Sequence, residues 1–154
     1  MTLVRVQGED FDPGAELAAL QSRAVSCGGI GCFIGVVRSD AARPLANLTL
    51  EHYPAMTLAA LTGMAEQAEL RFSLSACTVI HRHGLLVPGE RIVFVGTAAA
   101  HRRPALQAAE FLIDWLKTKA PFWKKERFVN GEESWVSALD EDAAAAERWG
   151  AAEH

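Results

Sequence analysis

The chain of 154 residues and 16.7 kDa has the size of one domain and can bury a core without a disulfide or a metal. Half of the residues are hydrophobic and 22% are charged, which excludes a disordered, collagenous or purely coiled-coil chain. The net charge of −4 argues against bulk attraction to nucleic acid, and the longest apolar stretch, 92–100, is far short of a membrane span.

The opening stretch turns acidic within ten residues and has no apolar signal region, so a cytoplasmic chain is expected. Residues 2–7 alternate apolar and polar and read as a strand. Asp12 and Pro13 then start a helix to about Arg23, with the aspartate as N-cap and the proline at the first helical position. Residues 30–38 read as a strand whose glycines permit a bulge or a close backbone approach. A polar loop, 40–44, leads to an alternating strand over 46–53. Pro54 is expected to break the chain before a long amphipathic helix over 56–72. Its expected apolar positions are Met56, Ala60, Leu61, Met64, Ala65 and Ala68.

Residues 76–83 read as a strand, Val87-Pro88-Gly89-Glu90 as a turn, and 91–99 as a buried strand. A second long helix is expected over 104–118, with Arg103 near its N-cap and Pro121 ending it. Residues 122–128 and 133–137 form a hairpin about Asn130-Gly131. Residues 143–149 read as a short terminal helix or tail. The interleaving of helices with tightly turned strand pairs makes the class α+β, with more than one small sheet, in a single domain over 1–154 whose acidic end, 140–154, is a tail.

Charge is unevenly placed. Residues 101–127 carry seven basic and three acidic side chains, whereas 128–154 carry one basic and seven acidic. This concentration suggests a local anion site. His101, Arg102 and Arg103 stand at a helix start, where basic residues oppose the helix dipole, so a bound phosphate or carboxylate explains them better than helix stability does. A solvated turn is the alternative. Lys117 and Lys119 fall in or beside a last helical turn, where the dipole alone accounts for lysines. Lys124 and Lys125 sit in a strand and should face opposite sides. Arg38 ends the glycine-bearing strand.

The three cysteines, Cys27, Cys32 and Cys77, have neither disulfide-framework nor zinc spacing and read as small core residues. A catalytic cysteine would need a neighbouring cation, and the sequence sets none beside them. His52 reads as a packing residue. His81 and His83 share a strand face, with no third metal ligand in evidence. The four tryptophans read as core or interface aromatics.

Several blocks occur in a fixed order. They are Phe33-x-Gly35-x-Val37-Arg38, Leu50-Glu51-His52-Tyr53-Pro54-x-Met56, and Val79-Ile80-His81-Arg82-x-Gly84-x-Leu86-x-Pro88-Gly89-Glu90. Val93-Phe94-Val95-Gly96 and Ala100-His101-Arg102 follow. The last block is Leu116-Lys117-Thr118-x-Ala120-Pro121-Phe122-Trp123-Lys124-Lys125-Glu126. Together they resemble the large, catalytic subunit of molybdopterin synthase, over about residues 29–149.

The resemblance implies an α/β-hammerhead fold with an additional small antiparallel β-sheet. It implies a homodimer with a small ubiquitin-like sulfur-carrier subunit at each far end, giving a heterotetramer. The carrier's C-terminal Gly-Gly tail, ending in a thiocarboxylate, would enter a pocket near the dimer interface. Two sulfurs would pass in turn to cyclic pyranopterin monophosphate, forming the dithiolene of molybdopterin in molybdenum cofactor biosynthesis. Such a sulfurtransferase needs no metal or cofactor of its own, because the sulfur arrives on the partner. By the same resemblance Lys117 and Lys124 match the catalytic lysines. Val36, Val37, Arg38, His101, Arg102, Lys125 and Glu126, together with both lysines, match substrate-binding positions. After Arg38 the chain departs from the family, reading Ser39-Asp40-Ala41-Ala42-Arg43-Pro44 where an asparagine and a glycine are common. Two other classes stay open: a non-catalytic module docking a Gly-Gly tail, and an enzyme acting on another small phosphorylated metabolite.

Overall fold

The computed structural model describes residues 2–136, 144–145 and 147–150. Its elements are β1 (Thr2–Gln7), α1 (Pro13–Arg23), β2 (Gly29–Val36), β3 (Leu45–His52), α2 (Pro54–Arg71) and β4 (Ala76–Arg82). These are followed by β5 (Gly84–Leu86), β6 (Arg91–Ala99), α3 (Arg102–Thr118), β7 (Phe122–Phe128) and β8 (Glu133–Val136). Of the expected terminal helix, 144, 145 and 147 are helical, while Ser137 and most of the acidic tail lie outside the described residues.

The first sheet has the order β1-β4-β6-β2, with β1 parallel to β4 and the other pairs antiparallel. All seven residues of β4 are buried, because helices cover both faces of its sheet. On one face α1 sets Leu20 against Ala76 and Ala98, and Phe11 packs on Ile80 and Phe94. On the other face α2 and α3 set Leu61, Ala65, Phe111 and Leu112 against Val79 and Val95. The residues of β4 and β6 thus divide by parity between the two cores, as the strand period of two demands.

The second sheet, β5-β3-β7-β8, is antiparallel throughout. It buries Leu45, Leu50, Leu86 and Phe128 together with Val37. The α+β class with an added antiparallel sheet therefore stands.

Local chemistry explains the boundaries. The Asp12 carboxylate accepts from the amides of Gly14 and Ala15 at 3.0 and 3.3 Å, closing the start of α1. Pro54 does not break the chain: it occupies the start of α2, where its missing N–H costs nothing. The buried side of α2 is Thr57, Leu61, Ala65 and Ala68, whereas Met56 is half exposed. The stripe is thus rotated from the expected one, with Thr57 Oγ1 donating to the Pro121 carbonyl. The start of α3 also differs: its N-cap is His101, with Arg102, Arg103 and Pro104 forming the first turn. A short strand, β5, follows His83, and β4 ends one residue earlier than expected.

Gly31 fixes the approach of α3 to β2. A Cβ there would meet the Ala105 carbonyl oxygen at 2.5 Å and Thr97 Oγ1 at 2.8 Å. The Thr97 hydroxyl donates to that same carbonyl at 2.6 Å, tying helix to sheet.

The cysteines do not form a set. Cys77 is buried, Cys27 is half-buried, and Cys32 is exposed on the edge strand β2 rather than in the core. Burial pushes the Cys77 thiol up to about 12, which makes it inert. Trp123 and Trp135 are exposed, whereas Trp149 packs edge-on against Phe72 and Phe111.

Candidate functional site

A cleft of about 370 Å³ opens where the end of β2, the end of α3 and the inner face of the second sheet meet. Its apolar wall comes from Phe33, Leu45, Leu48, Ile92, Ile113 and Leu116. Among the described residues, four charged side chains line it: Arg38, Lys117, Lys124 and Glu126.

Each arrives by a local device. The ladder between β2 and β6 slips between Gly35 and Val36. That irregularity ends the strand with Val36 exposed and Val37 buried, and Arg38 emerges at the rim. Val37 is pinned by its amide to the Glu90 carbonyl at 2.8 Å and by its carbonyl from the Gly89 amide at 2.9 Å. The β6 side chains leave no room for a side chain at 35, since a Cβ there would meet Val93 Cγ1 at 2.6 Å. Lys117 stands in the last turn of α3. Lys124 and Glu126 lie two apart on β7 and so share a face, the one turned to the cleft.

Lys125 points the other way. Its ammonium lies 2.8 Å from Glu133 and over the Trp135 ring, outside the cleft. The opposite orientation of the two lysines follows from strand parity. Val36 and Val37 line the cleft, as does Val136 from β8.

His101 and Arg102 stand elsewhere. With Gly28, Ala100 and Arg103 they line a separate, shallow pocket at the start of α3. Arg102 and Lys117 are fifteen residues apart on one helix, a span of about 22 Å at the helical rise. Within one chain the two cationic groups therefore serve different places.

The floor of the cleft carries a residue with no role in the sequence reading. His81, at 4% exposure, lies beside Lys124. Its ring stacks on Phe122 with centroids 4.0 Å apart. Burial first, then the Lys124 charge, pushes its pKa down to about 3, so the ring is neutral at pH 7. His52 and His83 sit farther along the same stack, with rings 4.4 Å apart, and burial holds His52 below the usual histidine range. Among the described residues no group of three or more His, Cys, Asp or Glu is arranged to hold a metal. Nor is any described helix long and apolar enough to cross a membrane. The cue for His81 lay in the sequence: a histidine within the apolar run Val79-Ile80-His81, where a polar ring must find a specific environment.

Comparison with known proteins gives this geometry a family. The family model described as MoaE protein matches residues 6–119. The chain is 48% identical over 147 residues to the molybdopterin synthase catalytic subunit of Mesorhizobium japonicum, covering 95% of this chain and 92% of that protein. It is also 48% identical to the protein of the same name from Pseudomonas aeruginosa, covering 95% and 97%. The solved structure of the molybdopterin biosynthesis MoaE protein from Burkholderia ambifaria superposes with a TM-score of 0.82 at 46% identity, covering 97% of this chain and 99% of that one. A complex of subunits 1 and 2 of the molybdopterin-converting factor from Helicobacter pylori shares the fold, with a TM-score of 0.70 at 21% identity and coverage of 89% and 90%. The chain belongs to the MoaE family.

Proposed function

We propose that this chain is the catalytic subunit of a molybdopterin synthase, a sulfurtransferase that moves two sulfurs from a carrier's C-terminal thiocarboxylate onto cyclic pyranopterin monophosphate. The observation that carries this reading is the convergence of Lys117 from α3 and Lys124 from β7 on one cleft with Arg38 at its rim. No cysteine lines that cleft, which suits a sulfur that arrives on a partner. The small partner subunit is a ubiquitin-like carrier whose extended Gly-Gly tail would enter the cleft along its apolar wall. The protein supplies no cofactor and works in the cytoplasm.

In this mechanism the carrier's sulfur attacks a carbon of the pterin side chain, forming the new C–S bond as that carbon's C–O bond breaks and the oxygen leaves on phosphate or as water. Hydrolysis of the resulting acyl–sulfur link releases the carrier as a carboxylate. Lys117 assists at the carrier's carbonyl, where negative charge develops on oxygen during that release. Lys124 stabilises the charge that develops on the pterin intermediate. Lys124 is half-buried, so its charge is worth more there than in water, whereas Lys117 is exposed and reaches the cleft from its edge.

The cyclic phosphate is held by His101 and Arg102 through charge-assisted hydrogen bonds. Their distance along α3 from Lys117 supports a homodimer in which one protomer's helix start completes its partner's cleft. Val36 and Val37 pack on the substrate, Arg38 and Glu126 orient it, and Lys125 ties β7 to the edge strand β8 through Glu133.

A reconstituted assay tests this. The purified chain is mixed with thiocarboxylated carrier and cyclic pyranopterin monophosphate, and the dithiolene product is read by mass spectrometry. Lys117→Ala and Lys124→Ala should each abolish product while carrier affinity stays within about tenfold, ~1.4 kcal/mol. Wild-type turnover in both variants would overturn the assignment. Carrier binding with no turnover in the unaltered chain would favour a docking module.

A further inference from the structure

We propose that Glu90 is a positioning residue for Arg38: its carboxylate locks the turn 87–90, and that turn grips the backbone of Val37, from which Arg38 enters the cleft. The inference rests on the substrate-orienting role of Arg38 and adds to it a residue outside the cleft.

Val37 stands where the sheet gives out. The ladder of β2 with β6 ends at the pair Val36–Arg91, so the peptide groups of Val37 need partners from elsewhere. The turn supplies both. The Val37 amide donates to the Glu90 carbonyl at 2.8 Å, and the Gly89 amide donates to the Val37 carbonyl at 2.9 Å. The Val37 side chain is buried with Leu45, Leu86 and Phe128. On the far side of Arg38, the Ser39 hydroxyl accepts from the Leu45 amide at 2.9 Å. Arg38 thus lies between two anchored neighbours. It is exposed, so the direction of its backbone, rather than side-chain packing, aims it at the cleft.

Glu90 holds the turn that does the gripping. Its amide donates to the Val87 carbonyl at 3.1 Å, with Pro88 and Gly89 at the central positions and Gly89 at φ 93°, a type II turn. Its carboxylate closes the same turn from the other side, where Oε2 accepts from the Val87 amide at 2.7 Å. Oε1 lies 3.7 Å from Nη1 of Arg82, a buried guanidinium that also donates to the carbonyls of Gly8 and Arg91. The turn is thereby tied to the end of β4, a strand buried along its whole length. Val87, Pro88, Gly89 and Glu90 do not themselves line the cleft, so the turn reaches it through Val37 and Arg38. The sequence block that ends in Pro88-Gly89-Glu90 acquires a use here that the cleft residues alone do not give it.

A carboxylate that only stabilised a surface turn would change the melting temperature without changing the use made of Arg38. A double-mutant cycle separates the two. The experiment measures kcat and KM of the full chain with thiocarboxylated carrier and pterin substrate, well below each variant's Tm. Glu90→Ala should lower kcat/KM by about tenfold, whereas Glu90→Gln, whose amide oxygen can still accept from Val87, should lower it by less than about threefold. In the Arg38→Ala background, Glu90→Ala should lower kcat/KM by less than about twofold further, the non-additivity of a residue that acts through another. Hydrogen exchange gives a reading that needs no variant to fold. The Val37 and Gly89 amides should be protected in the unaltered protein. In Glu90→Ala the Val37 amide should lose about tenfold or more of its protection while the amides of β4 keep theirs.

Equal losses from Glu90→Ala with and without Arg38 would overturn the proposal, as would wild-type kcat/KM in Glu90→Ala. So would a Val37 amide that exchanges in the unaltered protein as fast as in an unstructured chain. Arg38→Ala distinguishes the two levels of inference. If it retains wild-type turnover, the reading of Arg38 itself fails. If it is impaired while Glu90→Ala is fully active, only the positioning role fails.

Discussion

Gly31→Ala tests how α3 is held, and through α3 the placement of Lys117. The added methyl would stand 2.5 Å from the Ala105 carbonyl oxygen and 2.9 Å from its carbon, both backbone atoms of the helix. Backbone cannot rotate away as a side chain can, so α3 must withdraw by about 0.5–1 Å to restore ordinary contact. Overpacking of this kind costs about 1–3 kcal/mol. Withdrawal also stretches the 2.6 Å bond from Thr97 to Ala105, at about 1 kcal/mol. The sum, about 2–4 kcal/mol, corresponds to a fall of about 4–16 °C in Tm for a chain of this length. A shift of that size at Lys117, the cation proposed to be catalytic, should lower turnover by about tenfold or more. Calorimetry and the turnover assay read the two effects on the same sample. Gly63→Ala is the control of opposite sign. It lies inside α2, and a Cβ there meets nothing within 4 Å. It should therefore stabilise by about 0.5–1 kcal/mol. A Gly31→Ala protein that melts within about 1 °C of the parent would refute the reasoning.

Removing the cap of α1 with Asp12→Ala should cost about 1 kcal/mol, measured by urea denaturation, since two amides lose their acceptor. Acid should destabilise the protein through His81. Its folded pKa is lowered from 6.5 to about 3, so the unfolded chain binds more protons between those values. That contribution is complete above pH 6.5 and is lost as pH falls toward about 3. The slope reaches about 1.4 kcal/mol per pH unit and should vanish in His81→Asn. Iodoacetamide should label Cys32 well before Cys77 in the native protein, and peptide mass mapping after a short pulse checks the order.

Much of this was legible from residue pattern. The N-cap and proline of α1, the turn about Gly89 and the hairpin about Gly131 rest on local chemistry that tertiary structure does not override. Strand parity foretold that Lys124 and Lys125 would diverge, and they do. Other features depended on contacts that no local pattern encodes. Strand β5 has three residues and exists because β3 pairs with it. The buried side of α2 is turned toward Thr57 because Pro121, just before β7, accepts its hydroxyl. The basic cluster at 101–103 and the lysines at 117 and 124 looked like one anion site in the charge count. A straight helix keeps the first and second of these apart within one chain. The surroundings of His81 were hidden for the opposite reason: they are assembled from β3 and β7, which are far from β4 in sequence.

Helix α3 has a consequence for how two copies would work together. It is a single rod bearing His101 and Arg102 at one end and Lys117 at the other. In a dimer where each rod serves its own cleft with one end and its neighbour's with the other, no axial slip stays local. Substrate that draws the end of one rod proposed to hold phosphate would reset the lysine at its far end. The pair would then behave as coupled levers, and occupancy of one cleft would be registered as a change of rate in the other.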